Sequence, residues 1–72
     1  MNYRSTKFYK KLNYYLATAY AEGFCEGEDA TEREQLIAWQ WLVDTGHAWR
    51  SQGWFGITAT YLINQGLIKQ SK

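Results

Sequence analysis

The sequence predicts a small all-α domain of three helices, rich in aromatic side chains and prone to oligomerise. Apolar residues recur at helical spacing in three separate stretches, and glycine punctuates a chain that contains no proline. All four tryptophans fall within residues 38–54, a density that asks for more than one packed face.

The first helix is expected over residues 6–22. Phe8, Leu12, Tyr15, Leu16 and Ala19 recur at helical intervals, Ser5 or Thr6 suits its start, and Gly23 suits the position after its end. The following segment, "FCEGEDATERE", reads as an acidic loop. Asp29 or Thr31 can cap a second helix there, with Glu32 or Glu34 three residues on to complete a capping box. Negative charge also suits a helix N-terminus, so capping accounts for much of this acidity without a ligand.

The second helix is expected from Glu32 to Gln52, with Gly53 ending it. A hairpin of "WQWLV" and "HAWR" about "DTG" is the rival, because Trp39, Trp41 and Val43 alternate as a strand would. The strongly helical "TEREQLIA" before it leaves such a strand no boundary. A glycine-punctuated turn then leads into a third helix over residues 55–65. Gly66 would be its left-handed cap, and Leu67 and Ile68 would supply the accompanying hydrophobic contact.

On a wheel of about 100° per residue, Leu36, Leu42, Val43, Gly46 and Trp49 cluster around Trp39 as one broad apolar face of the second helix. Trp41 lies on the opposite side with Ile37 and Ala48 beside it. Two neighbours in a three-helix bundle cover the first face more easily than the second. The strip of Ile37, Trp41 and Ala48 is therefore expected to meet a second copy of the chain or another protein, unless Tyr3 or Phe24 folds over it. Gly46, placed inside this helix, would mark a kink or a close backbone approach.

Size points the same way. At 72 residues one core only about balances the entropy of ordering the chain, and the single cysteine, Cys25, excludes an internal disulfide. Aromatic packing or self-association has to supply the remaining stability.

No catalytic, cofactor-binding or metal-binding residues are expected. "LVDTG" matches the Asp-Thr-Gly of aspartic proteases, but its context here is helical and the chain is short for that β-rich fold. Asp44 and His47 are three apart and could share a helix face, yet one such pair falls short of the ligands a bundle metal site needs. Cys25 sits among acids that discourage a thiolate.

Net charge is +1, unevenly spread: residues 1–21 carry four basic and no acidic groups, and residues 22–34 carry six acidic groups and one arginine. Arg4, Lys7, Lys11 and Tyr14, with Lys10 alongside, form a basic stripe with an aromatic member, which makes nucleic-acid binding the competing reading. Pairing with the acidic segment or plain solvation of a helix face are the simpler uses of that stripe. Charges in the first dozen residues and the lack of a long apolar run indicate neither secretion nor membrane spanning, so a reducing cytoplasm is expected.

Between Thr31 and Ile68 the chain resembles a group of short, uncharacterised proteins of tailed bacteriophages, including those of cyanobacteria. The shared features are a tryptophan followed by "LVDTG", then "AW", "QGWFG" and "TA", and a closing apolar pair with glycine. Where members of the group often carry an arginine after "GWFG", this chain has Ile57, and its first 30 residues lie outside the match. The resemblance brings no activity with it. It implies a phage accessory protein acting in the cytoplasm of the bacterial host, and by analogy one that binds and redirects a host protein. The expected contacts are the Ile37, Trp41 and Ala48 strip together with Trp54 and Phe55 of the "QGWFG" turn.

Overall fold

The computed structural model describes residues 2–51 and 53–71, and its elements are all helical. Three main helices carry the fold: α2 (Tyr14–Glu22), α3 (Glu32–Asp44) and α5 (Gly53–Asn64). Two single turns accompany them, α1 (Lys7–Lys10) ahead of α2 and α4 (His47–Arg50) between α3 and α5. Strand elements are absent among the described residues, so the tryptophan hairpin is overturned.

The axis of the domain is α3, and its start follows from local chemistry. The Thr31 hydroxyl accepts from the Glu34 amide at 3.1 Å, while the Thr31 amide donates to the Glu34 carboxylate at 3.0 Å, the reciprocal box that "TERE" encodes. Inside the helix Ile37, Ala38, Leu42 and Val43 are closed off from solvent on all sides.

The first expected helix is in fact two. Asn13 leaves helical geometry at φ −134°, and its side chain accepts from the Leu16 amide at 2.9 Å, so it caps α2 instead of continuing α1. The apolar spacing runs unbroken through the break, which is why periodicity alone reads one rod. Physically the break lets α1, α2 and the 3-10 turn Tyr3–Ser5 each pack on α3. Phe8 of α1 then closes edge-on against Tyr20 of α2 at 4.8 Å.

The second expected helix is also cut. It ends at Asp44, and Gly46 takes φ +85°, a left-handed conformation costly for any residue with a Cβ. The expected end at Gln52 lies outside the described residues. Gly46 is therefore the joint between α3 and α4, and the chain turns there. Gly27 is constrained differently: buried against α2, it has backbone so close that a Cβ would collide with the Ala19 carbonyl.

Helix α5 begins at Gly53 and ends in the expected left-handed cap. Leu67 N–H donates to the Leu62 carbonyl at 3.0 Å and Gly66 N–H to that of Ile63 at 2.9 Å, which satisfies two terminal carbonyls. Ile68 then turns into the core, whereas Leu67 stays largely outside. Only Phe55 and Ala59 of α5 are buried outright; ring contacts tie it to α3, Trp39 packing on Phe55 at 5.5 Å and edge-on to Trp54 at 6.0 Å, and Leu62 and Ile63 pack on the same core.

Candidate interaction surface

Three groupings of side chains account for the residues singled out in the sequence. The first is a polar latch centred on Asp44. Its carboxylate accepts from Arg4 Nε at 2.7 Å, Arg4 Nη2 at 2.8 Å, the Tyr9 hydroxyl at 2.7 Å and Gln40 Nε2 at 3.1 Å. Gln40, buried one turn earlier, also donates to the Lys69 carbonyl and accepts from the Lys69 amide, each at 2.7 Å. Burial by itself would raise the Asp44 carboxyl, but hydrogen bonds from Arg4 and Tyr9 together with the Arg4 charge hold it below its ordinary value. The Tyr9 phenol is pushed up to about 12, first by burial and then by its hydrogen bond to Asp44. With four donors on its oxygens, Asp44 fastens the N-terminal segment to α3. The "DTG" signature is thus a helix terminus with a latch.

The second grouping is a cluster of three rings. The His47 imidazole lies parallel to Trp41, 5.6 Å between centroids and 13° between planes, and Tyr14 packs against the same imidazole at 4.7 Å, tilted by 48°. Trp41 is half-buried and packs against the core, and Tyr14 is half exposed. The strip expected beside Trp41 does not exist as a surface. Ile37 and Ala48 are fully covered within one chain, because the break at Asn13 brings several short elements onto α3 and the turn at Gly46 carries Ala48 off the α3 helical register. Among the described residues no set of three or more His, Cys, Asp or Glu converges as a metal site would require.

The basic stripe is likewise divided. Arg4 is engaged by Asp44, Lys11 lies over the Phe8 ring at 5.2 Å, and Tyr14 belongs to the His47 cluster across the helix break. Lys7 and Lys10 remain exposed on α1. The expected stripe ran along one continuous helix, and that helix breaks at Asn13.

The third grouping is the outer face of α5. Of the two anchors expected at the "QGWFG" turn, Phe55 is instead core, stacked beneath Trp54 at 4.6 Å, and Trp54 is half exposed. Ile57 and Tyr61 follow Trp54 along the same side, and both are more than half exposed. Beside this ridge runs a groove of about 470 Å³, lined by Gly53, Gly56 and Thr60 with Trp49 and Ile57 as its walls. The wheel reading missed Ile57, Tyr61 and Trp49 as surface residues. A signal was available: "GWFGITATYLIN" carries no charged residue over the whole of α5, so its solvent face has to be apolar or weakly polar.

Among the described residues no helix is long and apolar enough to cross a membrane. Compared with known protein families, curated proteins and solved structures, this chain has no match.

Proposed function

We propose that the chain is a non-enzymatic interaction protein whose working surface is the outer face of α5. The observation that carries this reading is the concentration of Trp49, Trp54, Ile57 and Tyr61 on one uncharged face of a protein that otherwise latches its segments with polar groups. Large contiguous apolar patches on small proteins mark contact sites, and tryptophan and tyrosine head the residues that carry binding energy at them. The resemblance to short phage proteins supports the further reading that the chain is a phage accessory protein, acting in the host cytoplasm on a host protein.

The test is capture from bacterial lysate by immobilised wild-type chain, run beside Ile57→Glu and Lys7→Glu/Lys11→Glu variants. A protein retained by wild type and by the lysine variant, but lost with Ile57→Glu, is the expected result. Binding of an oligonucleotide at low salt that the lysine changes abolish would replace this reading with nucleic-acid recognition through α1. Capture indifferent to Ile57→Glu would move the working surface away from α5.

A further inference from the structure

The geometry of α5 points to a second copy of this chain as the occupant of its outer face. The inference rests on the interaction-protein reading above and names the partner of that same site.

The face holds both halves of a helix-packing contact side by side. Trp54, Ile57 and Tyr61 form a ridge, and Gly53, Gly56 and Thr60 form the floor of the groove next to it, three or four residues apart along the same helix. A two-fold axis near Ile57 sets the ridge of one copy into the groove of the other and the reverse, which is how an isologous interface is built from one patch. The groove is shallow and open to solvent. A Cβ at Gly53 would meet nothing within 4 Å, and one at Gly56 would make ordinary van der Waals contacts, with Trp49 Cε3 at 3.7 Å, the Ala48 carbonyl oxygen at 3.8 Å and Trp49 Cζ3 at 3.9 Å.

Charge agrees. The α5 segment contains no ionisable side chain other than the phenol of Tyr61, so pairing two copies buries no like charges, and a net charge of +1 per chain gives little long-range repulsion. Area agrees as well. With Trp49, Trp54, Ile57 and Tyr61 at 48, 46, 73 and 59% exposure, these four side chains offer roughly 500 Å² per copy. Covered completely in a pair, these side chains with the glycines and Thr60 beside them would bury roughly 1,000 Å² over two copies, the lower bound for a specific interface.

Sedimentation equilibrium on the intact chain tests this. Wild type is expected at twice the 8.5 kDa chain mass. Ile57→Glu, which places a charge at the axis, and Gly56→Leu, which fills the groove, are expected at single-chain mass with unchanged far-UV circular dichroism. Gly56→Leu separates the interface from the fold, since removing a helical glycine favours the helix while blocking the contact. Raising salt from about 0.05 to 1 M should leave the dimer intact, as an uncharged interface requires.

A wild-type chain that is monomeric at roughly 0.1 mM overturns the inference. So does any assembly that both variants retain, or one that dissolves in salt, which would instead indicate pairing of the basic and acidic segments. Failure here is distinguishable from failure of the wider reading: a monomer that still loses a captured protein on Ile57→Glu keeps α5 as a working surface with a different occupant. A dimer that captures nothing keeps the second copy and removes the host target.

Discussion

The two sides of α3 are held by different physics. Toward the N-terminal segment, one carboxylate gathers Arg4, Tyr9 and Gln40, and Gln40 in turn fixes the backbone of Lys69. Toward α5 the attachment rests on rings, Trp39 against Trp54 and Phe55. The latched side fixes geometry and offers little to a partner, because its polar groups are already satisfied. The other side is non-directional and leaves Trp54 half uncovered. In a chain this small, the same residues cannot serve both a closed core and an open face, and the partition between Phe55 inside and Trp54 half outside shows where the boundary falls.

Trp39→Ala attacks the aromatic side and should be the most damaging single change. Truncating a buried tryptophan costs about 3–5 kcal/mol, and urea unfolding at fixed protein concentration should show a loss of that order. A loss below about 1 kcal/mol would mean that α5 is held by something other than these rings.

Asp44→Asn attacks the latched side, with an expected loss of about 1–3 kcal/mol as charged hydrogen bonds to Arg4 and Tyr9 are weakened or misdirected. This side also has a pH signature. The Asp44 carboxyl is held below its ordinary value in the fold, so its contribution is present above about pH 4 and disappears as pH falls through the folded value. Tyr9 acts in the opposite direction: with its phenol raised to about 12, its contribution is present below about pH 10 and is lost as pH climbs toward 12. Stability measured across pH should therefore fall at both ends in wild type. Asp44→Asn should flatten the acid limb and Tyr9→Phe the alkaline one, and an unchanged profile in either variant would contradict the latch.

Gly46→Ala sharpens the comparison most gently, at the joint between the two sides. A left-handed φ of +85° disfavours alanine by roughly 1–2 kcal/mol, and a Cβ there would come within 2.9 Å of Arg50 Nη1, a flexible end that can move aside. Thermal unfolding should show a modest drop in midpoint with no change in far-UV signal. A stabilised variant would mean that the turn tolerates a helical path there.

Much of the fold was legible where local chemistry and periodicity agree. The Thr31 box, the α5 terminus at Gly66 and the helical character of the tryptophan-rich stretch are all short-range effects, and each stands as read. The breaks at Asn13 and Gly46 were harder, since in each case one residue's conformational preference overrides an apolar spacing that continues past it. Those two breaks decide the surface. They bury Ile37 and Ala48, divide the basic stripe and shift the exposed apolar face from α3 to α5. A helical wheel assumes a straight rod with two neighbours, and neither holds for residues 32–51.

The bond pattern at Gln40 and Asp44 has a mechanical consequence. Arg4 and Lys69, near opposite ends of the described chain, are both tied to one stretch of α3, a single helical turn long. Tension applied at the two ends would load those few bonds before it reached the rings, so the protein should open like a clasp. Joining the ends through a short linker and cutting the chain in an exposed loop should, conversely, give a permuted molecule that keeps its shape.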